Sequence, residues 1–427
     1  MGLNFECFKT RNPYLYHMTP YLRKKTLFPA LIHQLPASTL GMVVVIPAYD
    51  EPQLIQSLEA LAACRPPDGS VEVIVVINHS ETVAATVKDR QTVLNRKARA
   101  WAETHSTDWL QFHILYCPDL PAKYAGVGLA RKIGMDEACR RLEAVGCPEG
   151  IILGYDADSS CQSNYFPAIA DYFQTHPRIQ AAGIHFEHPI SGQDFSEATY
   201  RAIVDYELHL RYFINAQAWV GLPYAYQTIG SSMAVRCRAY QQQGGMNRRK
   251  AGEDFYFLHK FTALGHFGQI KTTTVIPSPR ASHRVPFGTG RAVSKLLETG
   301  QQADTYAPES FVILRPFIRQ INQYHREDYQ PEFHPGLLHF LESMNWQEKI
   351  AEIRQHTAGL PAFRKRFFRW FDAFLLMKYV HFMRDHYYPN VPVKEAVDWL
   401  TSVSGYRTEQ GTSARDLLLL WRNIDIT

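Results

Sequence analysis

From Met42 to Asp158 the chain repeats one pattern, a short run of apolar, mostly β-branched residues followed by a longer stretch with helical spacing. The segments are "MVVVIPAYDE", "EPQLIQSLEALAAC", "VEVIVVIN", a polar stretch through Trp101, "LQFHILY", "GLARKIGMDEACRRLEAV" and "GIILGYDAD". A strand that is apolar at every position needs cover on both faces, and parallel neighbours need long crossovers. The pattern therefore predicts an α/β domain with a mostly parallel central sheet and helices on both faces. In open sheets of this kind ligands bind beyond the carboxyl ends of the strands. The polar residues stand there: Pro47 to Glu51, Asn78 to Ser80, and Asp156 to Asp158.

The remainder is less regular. It offers "QAAGIHFEHPI", a helix over 194–217, the small-residue segment "TIGSSMAVRCRAY", the acidic "AGEDFYFLHKF" and a strand "KTTTVIPSP". After Gly288 to Gly290 the pattern becomes helical and is punctuated by Pro, Gly and Asn. The expected organisation is an N-terminal extension over 1–40, a catalytic α/β domain over 41–290 and a helical region over 291–427. A net charge of +4 on 427 residues gives no case for a nucleic-acid partner. Seven cysteines without a CxxC pair fit reduced thiols and a cytoplasmic protein. The N-terminal residues lack the pattern of a secretory signal, and no apolar run approaches the roughly 18 residues of a membrane span. The segment "FRKRFFRWFDAFLLMKYVHFMRDHYY" leaves two readings open, a peripheral contact with an anionic membrane or aromatics packed inward with the basic residues in water.

Asp156 and Asp158 carry the sharpest chemistry. Two residues apart at a strand end, their carboxylates project to one side, where a single hard divalent cation relieves their repulsion. The alternative is a strand-end turn with solvated aspartates. In "PAKYAGVGLARKIG", Gly126 and Gly128 permit close backbone approach, while Lys123, Arg131 and Lys132 supply positive charge near a helix start. An ordinary surface helix is the competing reading, and it is preferred for Lys132. Glu253 and Asp254 are adjacent acids at another expected helix start. His185, Glu187 and His188 lack metal-ligand spacing, and Tyr224 and Tyr226 are either aromatics that stack on an acceptor or ordinary core or rim residues.

Four of these segments, in order, resemble the family 2 glycosyltransferases: "VVVIPAYDEP", "VGLARKIGMDEA", "LGYDADS" and "GGMNRRKAGEDFYF". The resemblance spans Met42 to Arg284 and implies a GT-A fold and transfer of a sugar from a nucleotide diphosphate. It places Pro47, Ala48, Tyr49, Glu51, Asn78, Lys123, Gly126, Arg131, Asp156 and Ala157 around the nucleotide or diphosphate. Asn78 departs from the Asp of many relatives, which leaves the base, uridine or guanosine, open. By the same resemblance Asp156 and Asp158 hold Mn2+ or Mg2+, Asp254 is the general base of an inverting transfer, and Gly230, Ser231, Ser232 and Glu253 border the sugar or acceptor. His283 as a third metal ligand, with Arg280 and Arg284 on the diphosphate, follows the pattern of the glucosyl and mannosyl phosphoglycerate synthases. Those enzymes make retaining transfer an alternative. The processive Gln-x-x-Arg-Trp element is missing, since Arg366 occupies the Gln position before Arg369 and Trp370. The expectation is a non-processive enzyme acting on an unidentified hydroxyl acceptor. A sugar nucleotidyltransferase lacks its glycine-rich loop here, and a non-catalytic binding protein is the remaining rival.

Overall fold

The β-branched runs form strands at the places their pattern predicts. In β1 (Leu40–Ala48) the residues Val43 to Ile46 are wholly buried, and in β2 (Ser70–Ser80) every position up to His79 is buried, so both faces of this sheet are covered. The computed structural model describes residues 18–284, 288–409 and 411–427, so Cys7 and the first 17 residues of the expected N-terminal extension lie outside the described residues. The remaining strands are β3 (Leu110–Leu120), β4 (Ile151–Gly154), β5 (Ser160–Cys161), β6 (Ala181–Phe186), β7 (Met233–Arg236) and β8 (Phe267–Ile276). They join one sheet in the order β3-β2-β1-β4-β7-β6-β8-β5. Only β5 and β7 run against the others. The expected α/β class, with a mostly parallel sheet, helices and a helical C-terminal region, is the architecture observed.

The register positions the strand ends. Val45 lies opposite both Ile74 of β2 and Gly154 of β4, so the loops after β1, β2 and β4 leave the same edge. Because β7 is antiparallel to β4, with Met233 opposite Gly154, the chain entering β7 through Gly230 to Ser232 arrives at the edge where Asp156 departs. Tyr155 N–H still donates to Val45 O (3.1 Å), and Ser159 N–H closes back on Asp156 O (3.1 Å), which makes the Asp-x-Asp a turn held at the sheet edge.

By packing, the chain divides into two interleaved units. The first runs to Glu187 and includes Thr228–Phe261 and His266–Ser278; the second comprises His188–Gln227, Thr262–Gly265 and Pro279–Thr427. This division differs from boundaries drawn at residues 40 and 290. The reason is the helix Glu197–Val220, which packs against the helices Thr289–Thr299, Pro308–Arg319, Val393–Val403 and Ala414–Ile426. Glu207, wholly buried at the middle of that helix, accepts from Arg211 (2.8 Å), His188 Nδ1 (3.0 Å) and Arg422 (2.7 Å). Those partners hold its carboxyl well below the usual range against the opposing effect of burial. In the aromatic C-terminal segment, Phe363, Phe367 and Phe371 are buried with Phe317, Tyr324 and Trp346, while Arg364, Lys365, Arg366 and Arg369 are exposed. Among the described residues no helix is long and apolar enough to cross a membrane.

The helix Val127–Ala144 corrects one expectation. Lys132, for which an ordinary surface helix was the preferred reading, is buried, as is the helix from Gly128 through Leu142. Its charges have partners from distant segments. Lys132 pairs with Asp136 (2.9 Å) and donates to Tyr21 Oη (3.2 Å); Glu137 accepts from the backbone of Leu31 (3.2 Å) and Ile32 (3.0 Å); Arg140 donates to Phe28 O (2.8 Å). Arg141 forks onto the buried Glu72 of β2 and donates to Gln34 O (2.9 Å). Burial alone would raise the Glu72 carboxyl; hydrogen bonds from Arg141 and His113 outweigh it and keep it low. Removing Arg141 strands a buried carboxylate, so Arg141→Ala is expected to lose about 3–5 kcal/mol of unfolding free energy. Urea unfolding followed by circular dichroism measures it.

Candidate active site

Arg131, in the first turn and a half of the helix Val127–Ala144, is 2% exposed and sits where three carboxylates converge. Its Nη2 donates to Asp156 Oδ1, in the turn after β4, and its Nη1 lies 3.3 Å from Glu253 Oε1 at the start of the helix Glu253–Thr262. Burial works against the guanidinium charge, but Asp156, Glu253 and Asp254 outweigh it and hold Arg131 above the ordinary arginine range. Gly230, just before β7, is part of the same arrangement. A Cβ there would stand 1.8 Å from Arg131 Nη1, so the absence of a side chain is what admits the guanidinium. Four sequence-predicted residues from separate segments, Arg131, Asp156, Glu253 and Gly230, are thereby brought together, with Asp254 beside them.

The two adjacent acids differ. Glu253 is buried, and burial followed by the charges of Asp254 and Asp156 outweighs Arg131 to push its carboxyl up to about 7. Asp254 is half-buried and accepts from the backbone N–H of Phe255 (2.7 Å) and of Gly230. Burial and the Asp156 charge raise it as well, against Arg131 and those donors. One guanidinium cannot neutralise three carboxylates, and the excess negative charge is relieved by a proton on Glu253 or by a further cation.

Around this centre the opening loop is only partly given to the strand-end surface. Pro47 and Tyr49 are half-buried and Ala48 is buried. Glu51, expected to line a nucleotide, is buried and uses Oε1 to accept from Gln53 N–H (2.9 Å) before the helix Leu54–Ala62. Asn78 is buried and its amide reaches Gly126 O (3.5 Å), tying the end of β2 to the helix start. Gln91, missed in the sequence, bridges the two strand ends: it accepts from Asp50 N–H (3.2 Å) and donates to Asn78 O (2.9 Å). Asp50 takes the left-handed conformation (φ 49°) and pairs with Arg90 (2.6 Å). No local signal marks Gln91, a polar residue in a polar helix that is wholly buried only through these two strand ends.

Ala157 is buried, Asp158 half-buried and Lys123 exposed. Ser231 and Ser232 are buried, and Ser232 O accepts from Ile184 N–H (2.8 Å), so they continue the sheet. Tyr224, considered for stacking on a ligand, is instead a core residue of the second unit, buried with its hydroxyl on Phe371 O (2.8 Å). His185 pairs with Glu187 (2.9 Å), and His188 belongs to the Glu207 cluster. Arg280, His283 and Arg284 fall in the second unit. There His283 Nδ1 meets Arg291 (3.0 Å) and its Nε2 lies 3.5 Å from Glu298.

Two carboxylates in a strand-end turn are a hard-oxygen donor set. Magnesium and manganese ions are commonly held by one or two carboxylates and completed by substrate phosphates. Asp156 and Asp158 fit that use, Asp156 having 40% of its side chain exposed and only Oδ1 on Arg131. Among the described residues no three His, Cys, Asp or Glu side chains gather as a self-sufficient metal site.

By sequence the chain matches no protein-family model and no curated protein. Among solved structures it is similar to S. aureus TarS residues 1–349 in complex with UDP-GlcNAc, at 14% identity over 67% of this chain and 76% of that one, with a TM-score of 0.38. It is also similar to the mannosyltransferase PcManGT from Pyrobaculum calidifontis in complex with GDP-Man and Mn2+, at 13% identity over 95% and 93% of the two chains and a TM-score of 0.37. A third is glucosyl-3-phosphoglycerate synthase from Mycobacterium tuberculosis in complex with UDP, at 16% identity over 65% and 79%, with a TM-score of 0.33. Likeness this distant decides no activity.

The raised Glu253 carboxyl has a consequence for stability. The folded state holds the Glu253 proton more tightly than the unfolded chain, whose value is the ordinary 4.5, so stability contributed below that value is lost as pH rises towards 7. Glu253→Gln, neutral throughout, is expected to melt higher than the unmodified protein at pH 8 and to converge with it near pH 4. The gap should be about 1–2 °C per kcal/mol of relieved repulsion. Calorimetry across pH measures it.

Proposed function

We propose that the protein is a non-processive glycosyltransferase that moves a sugar from a nucleoside diphosphate to an acceptor hydroxyl with inversion at the anomeric carbon. The observation that carries this reading is the convergence of Asp156, Glu253 and Asp254 on Arg131 at the carboxyl edge of the sheet, beside the backbone of Gly230. This edge is where open α/β sheets bind ligands. The ordered motifs resembling family 2 glycosyltransferases supply these same residues.

Pro47, Ala48, Tyr49 and Asn78 receive the nucleotide, and Lys123 faces the diphosphate. Asp156 and Asp158 would hold a divalent cation, Mn2+ or Mg2+, which when bound neutralises charge on the departing diphosphate. Asp254, half-buried and therefore reachable, accepts the proton of the acceptor hydroxyl as its oxygen attacks the anomeric carbon and the bond to the diphosphate oxygen breaks. Its raised carboxyl suits it to hold that proton. Glu253, buried against Arg131 and partly protonated at neutral pH, orients the acceptor and Asp254. Arg131 keeps the three carboxylates in register. Ser231 and Ser232 shape the sugar pocket from the sheet side.

Asp254→Asn is expected to bind donor within about twofold of the unmodified protein and to lose about 100-fold or more of transfer. Calorimetry and product analysis by NMR measure both, and normal turnover or a product of retained configuration overturns the base assignment. Nucleotide-sugar binding should also fall by about tenfold or more when divalent cations are chelated, and Asp158→Ala should reproduce that loss with Mn2+ present. A thermal-shift panel of UDP- and GDP-sugars with and without Mn2+ tests this and identifies the donor class.

A further inference from the structure

The loop that leads into Glu253 and Asp254 carries three consecutive cations, Arg248, Arg249 and Lys250, to which the transfer chemistry assigns no task. All three are exposed, and among the described residues none has a carboxylate partner. The loop is nevertheless built. Asn247 closes it, accepting at Oδ1 from Arg249 N–H (3.1 Å) and donating from Nδ2 to Glu253 O (2.8 Å). Arg248 lies over the Tyr124 ring at 4.4 Å, Lys123 approaches the same ring at 5.4 Å, and Arg249 lies over Tyr256 at 3.6 Å. A guanidinium resting on a ring uses its face and keeps its N–H edge for an acceptor.

The loop is also pressed against the start of the helix Val127–Ala144. A Cβ at Gly128 would stand 2.2 Å from Arg249 O, and one at Gly126 would stand 3.2 Å from Lys250 Cα. Two basic segments more than a hundred residues apart are thus held together at the N-terminal turn of an 18-residue helix, a short step along the chain from the proposed base. Like charges gathered this way repel one another until an anion lies among them, and planar N–H forks suit phosphate oxygens.

We infer that Arg248, Arg249 and Lys250 grip a phosphate group of the acceptor, so that the compound receiving the sugar is a phosphorylated one. The inference rests on the reading of Glu253 and Asp254 as the acceptor side of the site. A donor diphosphate offers the same chemistry, and the test separates the two sources.

The triple variant Arg248→Ala, Arg249→Ala, Lys250→Ala and the conservative pair Arg248→Lys, Arg249→Lys are titrated calorimetrically against two probes, each variant first checked for an unchanged melting temperature. One probe is sn-glycerol 3-phosphate, a hydroxyl compound bearing one phosphate; the other is uridine or guanosine diphosphate with Mn2+. The triple variant should lose about tenfold or more in affinity for glycerol phosphate, the lysine pair, which keeps the charge but not the stacked N–H forks, should lose less than the triple variant, and nucleoside diphosphate affinity should stay within about twofold. A parallel loss of nucleoside diphosphate binding assigns the cations to the donor and overturns the inference. So does unchanged glycerol phosphate binding in the triple variant, or no measurable binding by the unmodified protein. If the unmodified protein binds glycerol phosphate through these residues but neither nucleoside diphosphate, the transfer reading fails while the anion site stands.

Discussion

A guanidinium buried to 2% exposure is the constraint around which this end of the sheet is organised. Without carboxylates Arg131 would be an uncompensated charge in a low-dielectric site, a cost of several kcal/mol. The fold meets it from three directions: the turn after β4, the start of the helix Glu253–Thr262, and a glycine before β7 that leaves room for the guanidinium. The same arrangement overshoots. Three acids around one base leave a site short of positive charge, and burial together with that deficit raises Glu253 to about 7.

Much of this was legible in sequence because the signals are local. Val43 to Ile46 and Val73 to Ile77 form strands since a wholly apolar, β-branched run has few other places to go, and a polar residue ending such a run marks the edge where open sheets of this kind bind ligands. Asp156, Glu253 and Arg131 each stood in a motif of the resemblance, which set Arg131 on the diphosphate; the structure brings the three together and buries the guanidinium against the acids. The close approach foreseen at Gly126 and Gly128 is present, although its partner, the loop over Arg249 and Lys250, was not foreseen.

Buried charge was the part that local pattern could not disclose. The row Arg131, Lys132, Asp136, Glu137, Arg140 and Arg141 has the composition of a solvated helix, yet its partners are backbone groups of Phe28 to Gln34 and Glu72 on β2. A charge reads as exposed until its partner is known, and here the decisive partners are Glu72, sixty-nine residues from Arg141, and backbone atoms of Phe28 to Gln34, which carry no sequence signature. Gln91 escaped for the same reason, and Tyr224 was left open between ligand stacking and core packing because an aromatic reads alike in both; the structure puts it in the core.

The interleaving of the two units bears on how the chain is made. Glu207, inside the helix Glu197–Val220, finds one arginine partner four residues ahead in Arg211 and another 215 residues away in Arg422. During synthesis that carboxylate must stay hydrated, or be met by Arg211 and His188 alone, until residue 422 has cleared the ribosome. The strands up to β4 face no such delay. Order of emergence thus separates the strands up to β4 from a helical unit that closes around Glu207 only once residue 422 is available, and non-local closure of this kind is intrinsically slow.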